Sequence, residues 1–328
     1  MQSNAIHRKL PFSPFVSLLR LELGLRLTSS PAARCDLLKK HNYELRIAGG
    51  AVRDLLMDIV PADVDFATTA TPPQMLAMFA AEGVRVLHKA GERHGTVACC
   101  INDTENFEAR CLCANWFCYS LVDCVVVTTL RIDVPRDGRH ADVQFTTDWH
   151  LDANRRDLTI NSMFLGLDGT VYDYFNGMED LKNRRVLFVG DASERICEDY
   201  LRILRYFRFF GRIAASENAH DAGTLDAIRT HKDGLAGISG ERLWTELKKI
   251  VVGRFAGAVV KTMLHECAIG PLLALPDTAE PERFDELWRN VQVQQPCNAI
   301  HMKNEQFGGA HFVDNTDFVD CLACLFGQ

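Results

Sequence analysis

The sequence predicts an α/β domain on a mixed sheet, followed by an all-helical region. Three observations predict it. From Tyr43 to about Tyr174, short apolar runs of strand length alternate with single helical periods. After about Asn176 the strand pattern fades and longer stretches carry apolar residues at helical spacing. With 328 residues, 47% of them hydrophobic, the chain is long enough for two or three domains.

The first 34 residues stand apart. Arg8, Lys9, Arg20, Arg26 and Arg34 face a single acid, Glu22, among serines and leucines. That composition fits a mitochondrial transit peptide, and equally an N-terminal helix built on Phe15, Leu18, Leu19 and Leu23. The run ELRIAGG reads as a strand meeting a turn, AVRDLLMDI as a helix and DVDFATT as a second strand. PPQMLAMFAAEG reads as a helix that starts after proline and stops at Gly83. VRVLHKA, GTVACCI and VYDYF are further strands. Residues 109–127 are apolar, hold four of the twelve cysteines and carry only Arg110 and Asp123 as charges. They read either as a buried hairpin or as sequence foreign to the domain. Farther on, SERICEDYLRILRYFRFFGRI, DAGTLDAIRTH, SGERLWTELKKIVVG and RFAGAVVKTMLHEC are helical, and the end at CLACLFGQ reads as a shortened C-terminus.

Composition removes several classes. A formal net charge of −7 argues against coating nucleic acid by bulk attraction, while leaving room for a local basic patch. No apolar run approaches the ~18–20 residues of a membrane span. Twelve cysteines are sparse and irregular for a disulfide framework, so most read as free thiols of a reducing compartment. The one CxxC, Cys321 to Cys324, has no second pair at zinc-ligand spacing.

Chemistry concentrates between Gly49 and Asp65. On a strand, Asp63 and Asp65 project to one face, and two neighbouring anions repel unless a cation sits between them. Magnesium takes hard oxygen ligands, commonly one or two carboxylates plus substrate phosphates. A DxD alone is a weak signal. Gly49 and Gly50, between a strand and a helix, bare backbone N–H groups suited to phosphate, and Arg53 one turn in could add a guanidinium fork. A GG turn alone is ordinary strand-to-helix geometry; cradle, arginine and acid pair within seventeen residues are more specific.

Two further runs matter. In RRDLTINSM, Arg155 and Arg156 could hold triphosphate or sugar, and on a helix Asp157 and Asn161 share a face. In EDYLRILRYFRFFGRI, Arg202, Arg205 and Arg208 recur every three residues beside Asp199, with no acid after Asp199 until Glu217. Such an uncompensated stripe calls for an anionic partner, and Asp199 with Arg202 could offer acceptor and donors to a base edge.

In that order, these runs resemble the class II tRNA nucleotidyltransferases, the CCA-adding enzymes, in their eukaryotic form, from about Glu44 to Gly253. Gly49, Gly50, Arg53, Asp54, Asp63 and Asp65 match the family's GGxVRD…DxD motif. RRDLTIN matches its sugar-recognition motif, YDYFNGMEDL its hinge, EDYLR its nucleotide-selecting template and SGERLWTELKKI the motif bracing its neck helices. The resemblance implies a polymerase-β-like nucleotidyltransferase head over 35–182, a helical neck over 183–253 and part of a helical body over 254–328, without the tail. It implies addition of C, C and A to the tRNA 3′ end from CTP and ATP with Mg2+, in mitochondria and also cytosol or nucleus. Asp63 and Asp65 would hold the metal, with Glu108 as a third carboxylate on a neighbouring strand. Gly50, Arg53, Arg156, Arg202, Arg205 and Arg208 would contact phosphate and ribose, and Asp199 with Arg202 would read the base. Family members run almost directly from the Glu108 strand into TTLRIDV; here about eighteen residues intervene, as in a genuine insertion or a retained intron. Residues 131–145 match the family's mobile loop. A poly(A)-adding relative and a catalytically impaired tRNA-binding remnant share these motifs.

Overall fold

The structure is a computed structural model and describes residues 6–9, 37–88, 91–100, 124–134, 142–276, 278–294 and 325. It divides into two compact units, Met1–Arg156 with Asn161–Phe175, and Asp157–Ile160 with Asn176–Gln328.

The first unit is a mixed eight-stranded sheet in the order β1-β10-β9-β2-β3-β6-β5-β4. The strands are β1 (Ile6–Lys9), β2 (Leu45–Ala48), β3 (Asp65–Thr68), β4 (Arg85–His88), β5 (Thr96–Cys100), β6 (Cys124–Thr129), β9 (Phe164–Gly166) and β10 (Thr170–Asp173). β3 pairs with β6 in parallel, and β2 lies antiparallel between β3 and β9. A separate antiparallel hairpin joins β7 (Arg131–Val134) to β8 (Asp142–Phe145). Helices α1 (Gly50–Leu56), α2 (Pro72–Ala81) and α3 (Trp149–Asn154) complete the unit. α2 takes in Pro72 and Pro73 at its first turn rather than starting after them; Thr71 and Gln74 form a reciprocal capping box, and Gly83 takes a positive φ of 69° just beyond the end.

One sheet face buries Ala48, Ala67 and Phe164 against Leu130, Trp149 and Ala153. Arg46 is enclosed in the same layer, its guanidinium 4.0 Å from the Trp149 ring and 3.5 Å from the Tyr172 ring. Glu44 neutralises it at 2.6 Å. The other face buries Ile47, Phe66, Val97 and Val127. This alternation is the period-two pattern of a sheet covered on both sides.

The second unit is helical: α4 (Gly177–Lys182), α5 (Ala192–Glu198), α6 (Arg202–Ile213), α7 (Ala222–His231), α8 (Gly240–Ile250), α9 (Ala256–Lys261) and α10 (Pro281–Gln294). Its core centres on α6, which buries Ile203, Leu204, Tyr206, Phe207, Phe210 and Ile213. Residues 157–160 thread into this unit. The Thr159 and Val189 amides donate to the Leu187 and Asp157 carbonyls, and the Thr159 hydroxyl donates to Asp180 at 2.7 Å.

Several expectations are corrected. Strand β3 begins at Asp65, so Asp63 lies in the approach to the strand. The last residues of the stretch 109–127 belong to β6, a central strand; residues 109–123 lie outside the described residues. Residues 131–145, expected as a mobile loop, form the β7–β8 stems, with 135–141 outside the described residues. In the first 34 residues, Ile6–Lys9 is an edge strand, and the remainder lies outside the described residues, as do Cys321 and Cys324. Among the described residues no helix is long and apolar enough to cross a membrane.

Candidate nucleotidyltransferase site

Asp65 opens β3 with its side chain at the surface, and Asp63 stands two residues upstream, also exposed. Although Asp65 is accessible, the surrounding protein raises its carboxyl above the usual range, desolvation being the largest cause. The Asp63 charge raises it further, and Arg156 pulls it back. The Asp63 charge reaches Asp65, but the two do not share a pleated face as the sequence reading expects, because only Asp65 is in the strand.

The glycine turn lies in the same unit. Gly49 takes φ 66°, and its amide donates to the Met163 carbonyl at 3.0 Å. A Cβ at Gly49 would stand 2.7 Å from Arg156 Nη1, so glycine here meets both a left-handed backbone and a close approach. Arg156 donates to the Asn161 carbonyl at 3.3 Å and lies 4.9 Å from the Phe164 ring. Gly49, Arg156, Asp63 and Asp65 therefore form one constellation: two acids, a guanidinium and a tight turn.

Arg53 departs from the expected phosphate fork. It is buried, donating from Nε and Nη2 to Asp54 at 2.9 and 2.8 Å and from Nη1 to Asn161 Oδ1 at 2.6 Å. It ties α1 to the Asn161 segment. Asp157 and Asn161 do not share a helix face: Asp157 lies in the second unit and Asn161 in the first. Asp157 is buried, accepting from the Leu158 amide at 2.8 Å and from Arg205 Nε at 2.6 Å. Burial by itself would raise its carboxyl, but Arg205, the Leu158 amide and Arg202 outweigh that and hold it below the usual range.

In the second unit the arginine stripe is compensated, contrary to the sequence reading. Arg202 pairs with Glu198 at 2.6 Å, Arg205 with Asp157 at 2.6 Å and Arg208 with Glu246 at 2.9 Å. The acids come from one turn earlier and from distant segments, which a search along the helix does not see. Asp199 precedes α6 rather than riding on it. One of its oxygens accepts from the Leu201 amide at 3.1 Å and the other from Arg242 at 3.0 Å. Asp199 and Arg242 thus form a pair just ahead of α6, while Arg202, at the first position of the helix, donates to the Arg195 carbonyl and to Glu198.

Glu108 lies outside the described residues. The residue beside Asp65 in the parallel register is Val126, followed on the next strand by Ala98. Among the described residues no group of three or more His, Cys, Asp or Glu side chains could cage a metal. Asp63 and Asp65 still fit a divalent metal ion that keeps several waters and takes one or two carboxylates plus substrate phosphates. Sequence reasoning missed Asp152, Arg242 and Glu246. All three sit at helical spacing from, or one helix away from, residues it found; only Asp152, three and four positions before Arg155 and Arg156, carries a local signal.

Comparison with known proteins concerns the chain and its fold. The model described as "Poly A polymerase head domain" matches residues 45–187. A second, "Probable RNA and SrmB- binding site of polymerase A", matches 221–280. The mitochondrial CCA tRNA nucleotidyltransferases 1 of Danio rerio and Homo sapiens are each 54% identical over 261 residues, 80% of this chain and 56% of theirs. The chain thus spans just over half the length of these curated relatives. The Bacillus stearothermophilus CCA-adding enzyme in complex with CTP is 30% identical, with a TM-score of 0.58 over 77% of this chain and 54% of that one. At 20% identity and a TM-score of 0.59, the Thermotoga maritima CCA-adding enzyme complexed with tRNA shares the fold, over 100% of this chain and 71% of its own. By its head-domain match, its RNA-binding match and its 54% identity over 80% of its length, the chain is similar to the CCA-adding tRNA nucleotidyltransferases.

Proposed function

We propose that this chain adds C, C and A to the 3′ end of tRNA from CTP and ATP, in mitochondria. The observation that carries the reading is the paired Asp63 and Asp65, whose charges interact, beside Arg156 and the Gly49 turn. Two anions with a cation beside them in one unit suit a metal–triphosphate complex; the Gly49 amide, expected to face phosphate, is instead taken up by the Met163 carbonyl. Bound magnesium would neutralise developing charge on the transferring phosphoryl group and favour the attacking tRNA hydroxyl. Arg156 would add a fixed positive charge, and Gly49 leaves space for it. In the second unit, Asp199 and Arg202 would meet the Watson–Crick edge of the incoming base with acceptor and donors. Asp157 would hold Arg205, and Glu246 would hold Arg208, so that neither guanidinium needs to reorganise.

The experiment is incorporation by the purified chain on a tRNA lacking CCA. CTP alone should add two residues and CTP with ATP three, and Asp63→Ala or Asp65→Ala should abolish both. Addition of A alone, from ATP, would identify a poly(A)-adding relative. A second reading, a tRNA-binding remnant, is favoured by one observation: Val126, not an acid, adjoins Asp65. Retention of tRNA binding without any incorporation would establish it.

A further inference from the structure

We infer that Asp152 is a positioning residue for nucleotidyl transfer, a buried carboxylate that sets the direction of two consecutive guanidinium groups. The inference rests on the function proposed above. Asp152 sits in α3 and is 1% exposed. Its Oδ1 accepts from the Arg131 amide at 3.0 Å and from Arg155 Nε at 2.9 Å. Its Oδ2 accepts from Arg156 Nη2 at 3.1 Å and Nε at 3.3 Å. Burial would raise this carboxyl, yet Arg156, Arg155 and the Arg131 amide hold it below the usual range, so it is present as an anion.

Side chains of consecutive residues normally diverge. Here Arg155 and Arg156 both turn back to one acid, three and four residues earlier. For Arg156 the consequence is specific. With Nε and Nη2 fixed on Asp152, its Nη1 faces the Asn161 carbonyl and the space over Gly49, and its charge acts on Asp65. Asp152 therefore aims the cation at the turn and the acid pair. Asparagine could not replace it, because an amide nitrogen would turn donors toward a guanidinium that has only donors.

The test uses the full chain carrying Asp152→Asn or Asp152→Glu, each checked for native circular dichroism and titrated with CTP and with CMP in Mg2+. A misdirected guanidinium that forfeits one charge-assisted hydrogen bond predicts a loss of about tenfold to a hundredfold in CTP affinity. CMP, which lacks the β- and γ-phosphates, should change by no more than about twofold, since a rim contact is worth little. Asp152→Asn combined with Arg156→Gln should bind CTP no more weakly than Arg156→Gln alone, because Asp152 acts through Arg156. Equal losses for CTP and CMP, no loss, or additive losses in the double variant would overturn the inference, as would failure of both Asp152 variants to fold. A wild-type chain that binds no CTP overturns the functional reading along with it, whereas wild-type binding with unchanged variants overturns the positioning role alone.

Discussion

Asp65 carries a charge that its surroundings disfavour. Its carboxyl is raised above the ordinary value of 3.8, first by desolvation and then by Asp63. The stability associated with the protonated group is present in full below the ordinary value and lost as pH rises through the raised one. At neutral pH the ionised group is therefore a cost to the metal-free chain. Asp65→Asn should melt about 1–3 °C higher in a thermal scan without divalent metal, a small effect because solvent screens the exposed group. The same variant should lose about 10²–10³-fold in incorporation rate. A lower melting temperature would contradict the account. Gly49 makes the complementary case: Gly49→Ala forces a side chain into φ 66° and against Arg156. It should cost about 1–2 kcal/mol in urea unfolding and weaken CTP binding by shifting Arg156.

At the scale of elements, α6 is held by acids that lie elsewhere in the sequence. Arg208 on α6 and Glu246 on α8 form a pair in which Glu246 is 5% exposed. Glu246→Ala leaves the arginine without its carboxylate and should cost about 3 kcal/mol in chemical denaturation. Replacing both partners with well-fitting apolar residues should recover most of that loss. Local pattern made much of the fold legible: the capped α2, the strands around Ile47 and Phe66, and the apolar face of α6 each follow from spacing. What stayed hidden is non-local. The stripe looks uncompensated because Asp157 is 48 positions from Arg205 and Glu246 is 38 from Arg208. β6 was obscured because its apolar residues continue a cysteine-rich run with no turn signal before Cys124. Asp63 and Asp65 were legible as a pair, but nothing local marks the strand as starting only at Asp65.

For the whole molecule, acid should act in two steps. His220 stacks on Phe210 at 3.5 Å, lies 2.9 Å from the Tyr206 hydroxyl, and is lowered by burial from 6.5 to about 4. Stability from the neutral ring is present above pH 6.5 and lost as pH falls toward 4, on the order of 1–2 kcal/mol after allowing for solvent. His220→Gln should flatten that part of a plot of unfolding free energy against pH. Asp152 and Asp157 have lowered carboxyls, so their contribution is present above the ordinary value of 3.8 and lost only at lower pH. The two windows separate the histidine from the carboxylates.

Asp63 and Asp65 would act as one seat for a divalent metal and the nucleotide triphosphate. Titration of the purified chain with Mn2+ and CTP, followed by electron paramagnetic resonance of the free ion, tests it most directly. Mn2+ should bind with CTP, and Asp63→Asn and Asp65→Asn should each weaken that binding by about tenfold or more. Mn2+ uptake unchanged in both variants would contradict it.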